Sequence, residues 1–92
     1  MIIARVELHG ARTRDDYAFL HNEMARRGFV RCLSANDGQS LHLPTGTYAL
    51  LTAVDVKQAL NSAAAAADAT GYSWEAFVAD GTSWWSRNLS SC

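Results

Sequence analysis

The stretch IIARVELHGARTRDDYAFLHNEMARRGFVRCL, residues 2–33, decides the fold class because the spacing of its apolar residues changes twice. Residues 2–9 alternate between apolar and polar side chains, which is the pattern of a strand with one buried face. Thr13 and an acidic first turn then begin an apolar stripe at helical spacing that continues to Arg27. A short apolar run at 29–33 follows. This stretch therefore predicts a strand, a helix and a second strand.

The rest of the chain repeats this order with one addition. The Asn-Asp-Gly sequence at 36–38 predicts a hairpin turn, because Asp-Gly tolerates positive φ. A third strand follows and is interrupted by Pro-Thr-Gly at 44–46, since proline cannot donate to a strand ladder. Residues 54–70 predict a second helix, and residues 72–79 predict a fourth strand.

The resulting order, βαββαβ, predicts an α+β protein with a ferredoxin-like fold. We expect residues 1–92 to form a single domain, because a chain of this length rarely supports two cores. The predicted sheet has four antiparallel strands, with two helices on one face and the other face open. Residues 83–89 could add a short C-terminal edge strand.

The charge of the chain limits the classes of function. Its net charge of −1 argues against strong non-specific binding to nucleic acid, which requires several phosphate contacts. Six of the seven arginines precede residue 32, so residues 1–34 carry 6 − 4 = +2 and residues 35–92 carry 2 − 5 = −3. This asymmetry fits either a solvated helix of mixed charge or a basic patch for a phosphate backbone or an acidic partner.

The composition predicts a location and an association state. No apolar run approaches the length of about 18 residues that a membrane helix needs, and the start, MIIAR, lacks the features of a signal peptide. We therefore expect a cytoplasmic protein with no membrane contact. Much of the apolar content is alanine, so burial against a partner is plausible, most simply in a homodimer.

The two cysteines, Cys32 and Cys92, are predicted to be free. They are too few and too far apart for a disulfide framework or a metal-ligand set. Cys32 lies in an apolar run and is expected to be a buried thiol, whereas Cys92 could cross-link dimers on oxidation. No zinc, nucleotide or other cofactor motif is present, so no cofactor and no bound metal are expected.

Residues suited to acid–base chemistry occur on the first strand. Cleavage of RNA without a metal requires a base, an acid and a cation near the phosphate. Arg5, Glu7 and His9 alternate onto one face of this strand. Tyr48 from the neighbouring third strand could share that face, and the second strand could add Arg31. In the alternative interpretation Arg5 and Glu7 form ordinary cross-strand pairs and Tyr48 belongs to the core.

The adjacent tryptophans Trp84 and Trp85 predict an exposed aromatic side chain. Neighbouring residues on a strand point to opposite sides, and so small a domain cannot easily bury both rings. An exposed tryptophan is typical of a contact with a partner. Trp84 and Trp85 are therefore the candidate partner-contact residues.

Several short motifs, spread over nearly the whole chain, give it a resemblance to a known family. They are Val6-Glu7-Leu8-His9-Gly10-Ala11, Asp16-Tyr17, Leu20-His21, Gly28-Phe29, Asp37-Gly38, Leu41-His42-Leu43-Pro44 and Tyr48. With these motifs the chain resembles small bacterial and phage-associated proteins that are grouped with GhoS, the endoribonuclease antitoxin of a type V toxin–antitoxin system.

The resemblance implies a ferredoxin-like fold and a role in binding or cleaving the messenger RNA of a toxin. It places His21 at a basic position of the first helix and Tyr48 at an aromatic position of the third strand. His9, His21 and Arg5 are then the candidate catalytic residues, and Arg31 and Tyr48 are the candidate RNA-binding residues. Similar CRISPR nucleases carry an acidic residue where this chain has His9-Gly10, so a magnesium-dependent mechanism is not expected.

Other functions fit the same sequence. The chain could be a non-enzymatic, dimeric binding protein, such as a phage or mobile-element inhibitor of a host defence complex, similar in size and charge to anti-CRISPR proteins. The near-neutral charge, the absence of a catalytic motif and the predicted exposed tryptophan favour this hypothesis. An accessory protein with a structural role only is a third hypothesis.

Overall fold

The computed structural model describes residues 1–92, and its elements follow the predicted order with two of the strands divided. Neither helix is long and apolar enough to cross a membrane. The elements are β1 (Ile2–His9), α1 (Arg14–Arg26), β2 (Phe29–Val30), β3 (Cys32–Ser34), β4 (Ser40–His42), β5 (Thr47–Leu50), α2 (Val56–Asp68) and β6 (Ser73–Asp80).

Four of the strands form one antiparallel sheet in the order β2-β5-β1-β6. β1 pairs with β6 along all eight of its residues. On its other side β1 pairs with β5, where Ala4 lies directly opposite Tyr48. The predicted α+β class, with a four-stranded antiparallel sheet and two helices, is confirmed.

The alternating residues of β1 separate the two faces of the sheet. Ala4 and Val6 are fully buried beneath the helices, whereas Arg5 and Glu7 are exposed on the other face. Small alanine side chains allow α2 to approach β1 and β6 closely, so the alanine run is explained by packing within the domain. The buried helix residues are Leu20, Met24, Ala59, Ala63, Ala66 and Ala67.

Helix α1 begins at the capping residues that the sequence indicated. The carboxylate of Asp16 accepts hydrogen bonds from the backbone N–H groups of Arg12 (2.7 Å) and Thr13 (3.0 Å). The Tyr72 hydroxyl, just before β6, donates a third hydrogen bond to it at 2.5 Å. These hydrogen bonds lower the pKa of Asp16 to about 2, and the bond from Tyr72 has the largest effect. The charged carboxylate thus ties the start of α1 to the segment that leads into β6.

Arg31 and Pro44 divide the predicted second and third strands. β2 stays in the main sheet, whereas β3 leaves it and pairs with β4 in a separate two-stranded sheet. The Leu43 N–H donates to the Arg31 carbonyl (2.7 Å), and Pro44 has no N–H with which to continue the ladder. The predicted turn at 36–38 closes this hairpin, with Gly38 at φ +85°.

The face opposite the helices is partly covered, so the expectation of an open face is wrong for one end of the sheet. Leu33 and Leu43 of the hairpin pack on Ala49 of β5 and form a second, smaller core. Ile3 and Trp84 pack against this core. The cover exists because the divided strands turn the hairpin back over the sheet. The rest of this face, on β1 and β6, stays exposed.

The C-terminal segment follows the hairpin and does not extend the main sheet. The Cys92 N–H donates to the Ser40 carbonyl (3.0 Å), and the His42 N–H donates to the Ser90 carbonyl (2.8 Å). Only one isolated bridge, Leu41 to Ser91, has strand geometry. The predicted edge strand at 83–89 is therefore wrong: none of these residues is in a strand, and the residues that bond to β4 are 90–92.

A disulfide between Cys32 and Cys92 holds this segment against β3. The prediction of two free cysteines, one of them a buried thiol, is wrong. The residues are 60 apart in sequence, and that separation carries no information on distance once the hairpin and the tail fold to the same side. The bond closes a long loop, and such a bond stabilises a fold chiefly by restricting the unfolded chain.

Candidate functional site

A buried tyrosine and a half-buried histidine form the centre of the site. His21 lies in α1, and Tyr48 lies in β5 with its whole side chain inside the core. The His21 Nδ1 and the Tyr48 hydroxyl oxygen are 2.6 Å apart. Tyr17, one helical turn before His21, places its ring centroid 6.2 Å from the imidazole. The ring of His21 is therefore held from two sides.

The hydrogen bond from Tyr48 determines the tautomer of His21. The Tyr48 hydroxyl has no other partner, and a buried hydroxyl proton without an acceptor is costly. We therefore infer that Tyr48 donates to Nδ1 of His21. A neutral imidazole carries one proton, which must then be on Nε2. His21 consequently presents a hydrogen-bond donor on the side of the ring that faces away from Tyr48.

The same environment keeps His21 neutral. Burial, followed by the positive charge of Arg31 and the influence of His42, lowers the pKa of His21 to about 4. Burial raises the pKa of Tyr48, although the charges of Arg31 and Arg5 partly oppose this. Both groups are therefore uncharged at neutral pH, and the Tyr48–His21 hydrogen bond persists over the physiological range.

His21 lines a cavity of about 420 Å³, which we call the His21 pocket. Two arginines and one aspartate supply its charges, so the balance is positive. The Nε of Arg31 is buried and has no hydrogen-bond partner. Nε2–H of His21 is a donor without an acceptor, and the guanidinium of Arg31 lines the same pocket. A free donor beside cations is the arrangement that an anion satisfies. The pocket is lined by Arg14, Asp15, Tyr17, Ala18, His21, Arg31 and Thr45.

The loop before β5 forms one wall of the pocket and admits only glycine at position 46. Gly46 has a φ of +85°, and a Cβ there would lie 2.6 Å from the Val6 carbonyl oxygen and would collide with Arg5. The guanidinium of Arg5 passes this point and donates to the Thr45 carbonyl at 3.0 Å. Arg5 therefore supports the loop from the other side and adds positive charge near the pocket.

The predicted acid–base set on the first strand does not assemble. Residues directly opposite each other in a sheet share a face, and Tyr48 lies opposite Ala4, so its ring points towards the helices. The prediction that Tyr48 shares the face of Glu7 and His9 is wrong. His9 is exposed, with Nε2 3.7 Å from a carboxylate oxygen of Glu75. His9 and His21 thus lie on opposite sides of the sheet.

Of the predicted residues, His21, Tyr48 and Arg31 come together. Trp84 packs on the second core, and Trp85 is 99% exposed, so the expectation of one exposed tryptophan is confirmed. Whether either ring contacts a partner stays a prediction.

Three exposed residues could hold a metal ion by their chemistry. The ligand atoms of Glu7, His9 and Glu75 all lie within 4.8 Å of one another. Glu7 and Glu75 are directly opposite each other on β1 and β6, and no arginine or lysine pairs with either. Exposed acidic groups commonly form such sets without binding an ion, so no role is assigned to this one.

The sequence did not predict three contributors to the site: Arg14, Tyr17 and His42. Arg14, Tyr17 and His21 occur at i, i+3 and i+7 in α1, which places them on one helix face. That spacing is a signal that could have identified Arg14 and Tyr17. The approach of His42 depends on the hairpin, and no local pattern predicts it.

Comparison with known protein families, with curated proteins and with solved structures gave no match. The resemblance to GhoS-like proteins stays a prediction. The function of this chain therefore has to be argued from the geometry of the His21 pocket.

Proposed function

We propose that this protein binds RNA and holds a phosphate of the RNA in the His21 pocket. The observation that carries the proposal is the Nε2–H of His21, a donor without an acceptor, in a pocket lined by the cations Arg14 and Arg31. Charge-assisted hydrogen bonds of this kind are the usual contacts to phosphate oxygens. The proposal agrees with the RNA-related role that the GhoS-like resemblance implies, with a toxin messenger as the predicted target.

A ferredoxin-like classification is part of this proposal. The first strand, β1, and the third main-sheet strand in chain order, β5, are central neighbours, and β2 and β6 are the edges. This order supports the classification, while the inserted β3–β4 hairpin departs from the simplest form.

Binding is favoured over metal-independent cleavage. A base that activates the 2′-hydroxyl needs an unprotonated nitrogen within reach of the substrate. In His21 the Nδ1 lone pair is used by Tyr48, and Nε2 carries the proton. His9, the other proposed acid–base residue, faces the opposite side of the sheet. We therefore expect RNA to remain intact in the presence of EDTA.

Fluorescence anisotropy with a labelled 12-nucleotide single-stranded RNA in EDTA tests the proposal. One phosphate neutralised by Arg14 and Arg31 gives a slope of log affinity against log salt of about −0.7. Arg31→Gln should weaken binding about tenfold and make the slope shallower, whereas Arg31→Lys should recover part of the loss. Arg26→Gln is the matched control, because Arg26 is exposed and pairs only with Glu23. Equal effects of the two glutamine variants would refute the site.

The predicted location needs its own test. Toxin messengers are met in the cytoplasm, whereas disulfides such as Cys32–Cys92 persist mainly in oxidising compartments. Cytoplasmic location therefore stays a prediction. Trapping of thiols in whole cells, followed by mass spectrometry of the protein, would show whether the disulfide is present where the protein works.

A non-enzymatic, protein-binding function is the second candidate. Trp85 is 99% exposed, and Phe77 on the uncovered sheet face is 68% exposed. Exposed aromatic residues are enriched in interfaces, so a homodimer or a host-protein contact of the anti-CRISPR-like kind is supported by these side chains. Light scattering over a concentration series, with Trp85→Ala and Phe77→Ala, would detect a dimer and assign it to one of the two surfaces.

A further inference from the structure

Two further cavities lie in a row beside the His21 pocket. A cavity of about 550 Å³ shares Arg14 and Thr45 with the His21 pocket. A third cavity, of about 310 Å³, shares Leu43, Pro44 and Leu89 with the second. Because consecutive cavities share lining residues, the three lie side by side on the surface between His21 and Trp85. We call this row the tail groove, since the C-terminal segment forms one of its walls.

The chemistry of the tail groove changes along its length. The first end carries the arginines and the donor of His21. The middle is polar, with His42 and Ser90 among its lining residues. The last part is mainly apolar and contains Trp84 and Trp85, with Arg87 beside them. Cationic groups at one end and an exposed aromatic ring at the other are the two elements that single-stranded nucleic acids require.

The wall that carries Trp85 is held in place by covalent and hydrogen bonds. The disulfide from Cys92 to Cys32 joins this segment to the hairpin. Backbone hydrogen bonds to Ser40 and from His42 add two further attachments. These bonds hold the end of the segment, and Trp84, which packs on the second core, holds the backbone next to Trp85, whose own ring is exposed. A ring on an anchored backbone is available to stack on a base.

We propose that the tail groove binds single-stranded RNA, with one phosphate in the His21 pocket and a base stacked on Trp85. The inference rests on the proposed function and adds the class of RNA. A duplex is excluded as the preferred ligand, because its bases are already paired and stacked and cannot reach Trp85. An apolar peptide is disfavoured as the occupant, because it leaves the donors of His21 and Arg31 without acceptors.

Fluorescence anisotropy with three labelled ligands tests the inference: a 12-nucleotide oligouridine, an abasic phosphodiester strand of equal length and a 12-base-pair RNA duplex. Trp85→Ala should weaken oligouridine binding about tenfold and leave the abasic strand unchanged. Trp85→Phe should retain most of the affinity. Phe77→Ala, which removes an exposed aromatic ring from the uncovered sheet face, is the matched control and should have no effect.

The failures of the two proposals can be distinguished. If the abasic strand binds and Arg31→Gln weakens that binding, the His21 pocket is supported, whatever the effect of Trp85→Ala. Unchanged oligouridine binding by Trp85→Ala, or a duplex bound as tightly as oligouridine, would overturn the tail groove alone. A loss caused by Phe77→Ala and not by Trp85→Ala would place the RNA on the sheet face. An abasic strand that does not bind, or that binds Arg31→Gln equally well, would refute the proposed function.

Discussion

The substitution Tyr48→Phe tests the hydrogen bond on which the site depends. It removes the hydroxyl that lies 2.6 Å from Nδ1 of His21 and keeps the buried ring, so no cavity term is added. Losing one such hydrogen bond costs about 1 kcal/mol, because both groups would form hydrogen bonds with water in the unfolded state. For a domain of this size this corresponds to a fall in Tm of about 4–8 °C, or about 0.5 M in the urea midpoint.

Urea unfolding and imidazole ¹⁵N NMR measure the two consequences of Tyr48→Phe. The wild-type protein should show His21 protonated on Nε2 alone, whereas the variant should show a mixture of the two tautomers. Tyr17→Phe is the matched control and should leave the tautomer of His21 unchanged. The Tyr17 hydroxyl accepts from the Leu8 N–H (3.1 Å) and does not contact the imidazole nitrogens. An unchanged urea midpoint together with an unchanged tautomer in Tyr48→Phe would show that Tyr48 does not orient His21.

Three further predictions concern stability. The folded-state pKa of His21, about 4, lies below the ordinary value of 6.5, so the unfolded state binds more protons between these pH values. The contribution of His21 to the free energy of unfolding is complete above pH 6.5 and is lost as the pH falls towards 4. Solvent screening of the half-buried ring limits this contribution to about 1–2 kcal/mol. Urea unfolding at pH 7 and pH 5 should show the loss in the wild type and not in His21→Asn. Reduction of the Cys32–Cys92 bond, or Cys92→Ser, should lower the free energy of unfolding by up to about 4 kcal/mol, as expected from the entropy of a loop of this length. Labelling of both cysteines by a thiol reagent in the absence of reductant would show that the bond does not form. Gly46→Ala should cost about 2 kcal/mol, because the residue has a φ of +85° and its new Cβ would meet the Val6 carbonyl oxygen, and unchanged thermal unfolding would contradict this reading of the loop.

The main sheet and both helices could be predicted because local patterns determine them. Alternation assigns the faces of β1, and the residues around Asp16 mark the start of α1. The face of Tyr48 could not be assigned in the same way. It follows from the register of β5 against β1, where a shift of one residue would turn the side chain to the other face.

The site was only partly predictable because its residues come from distant parts of the chain. Arg31 was identified as a candidate by residue type, and His21 through the resemblance to GhoS-like proteins. Their meeting depends on the division of the strands at Arg31 and Pro44, which was predicted for Pro44 alone. The tail groove further depends on a disulfide that spans 60 residues, and no sequence pattern in this chain indicates that pairing.

The most direct test of the account is NMR titration of the ¹⁵N-labelled protein with single-stranded oligouridine in EDTA. We expect the largest shifts at Nε2–H of His21 and Nε–H of Arg31, saturable and weakened by salt. Inorganic phosphate should shift the same two signals at higher concentration. Saturable binding that leaves these signals in place and shifts His9 and Phe77 would contradict the account, as would the absence of any shift at low salt.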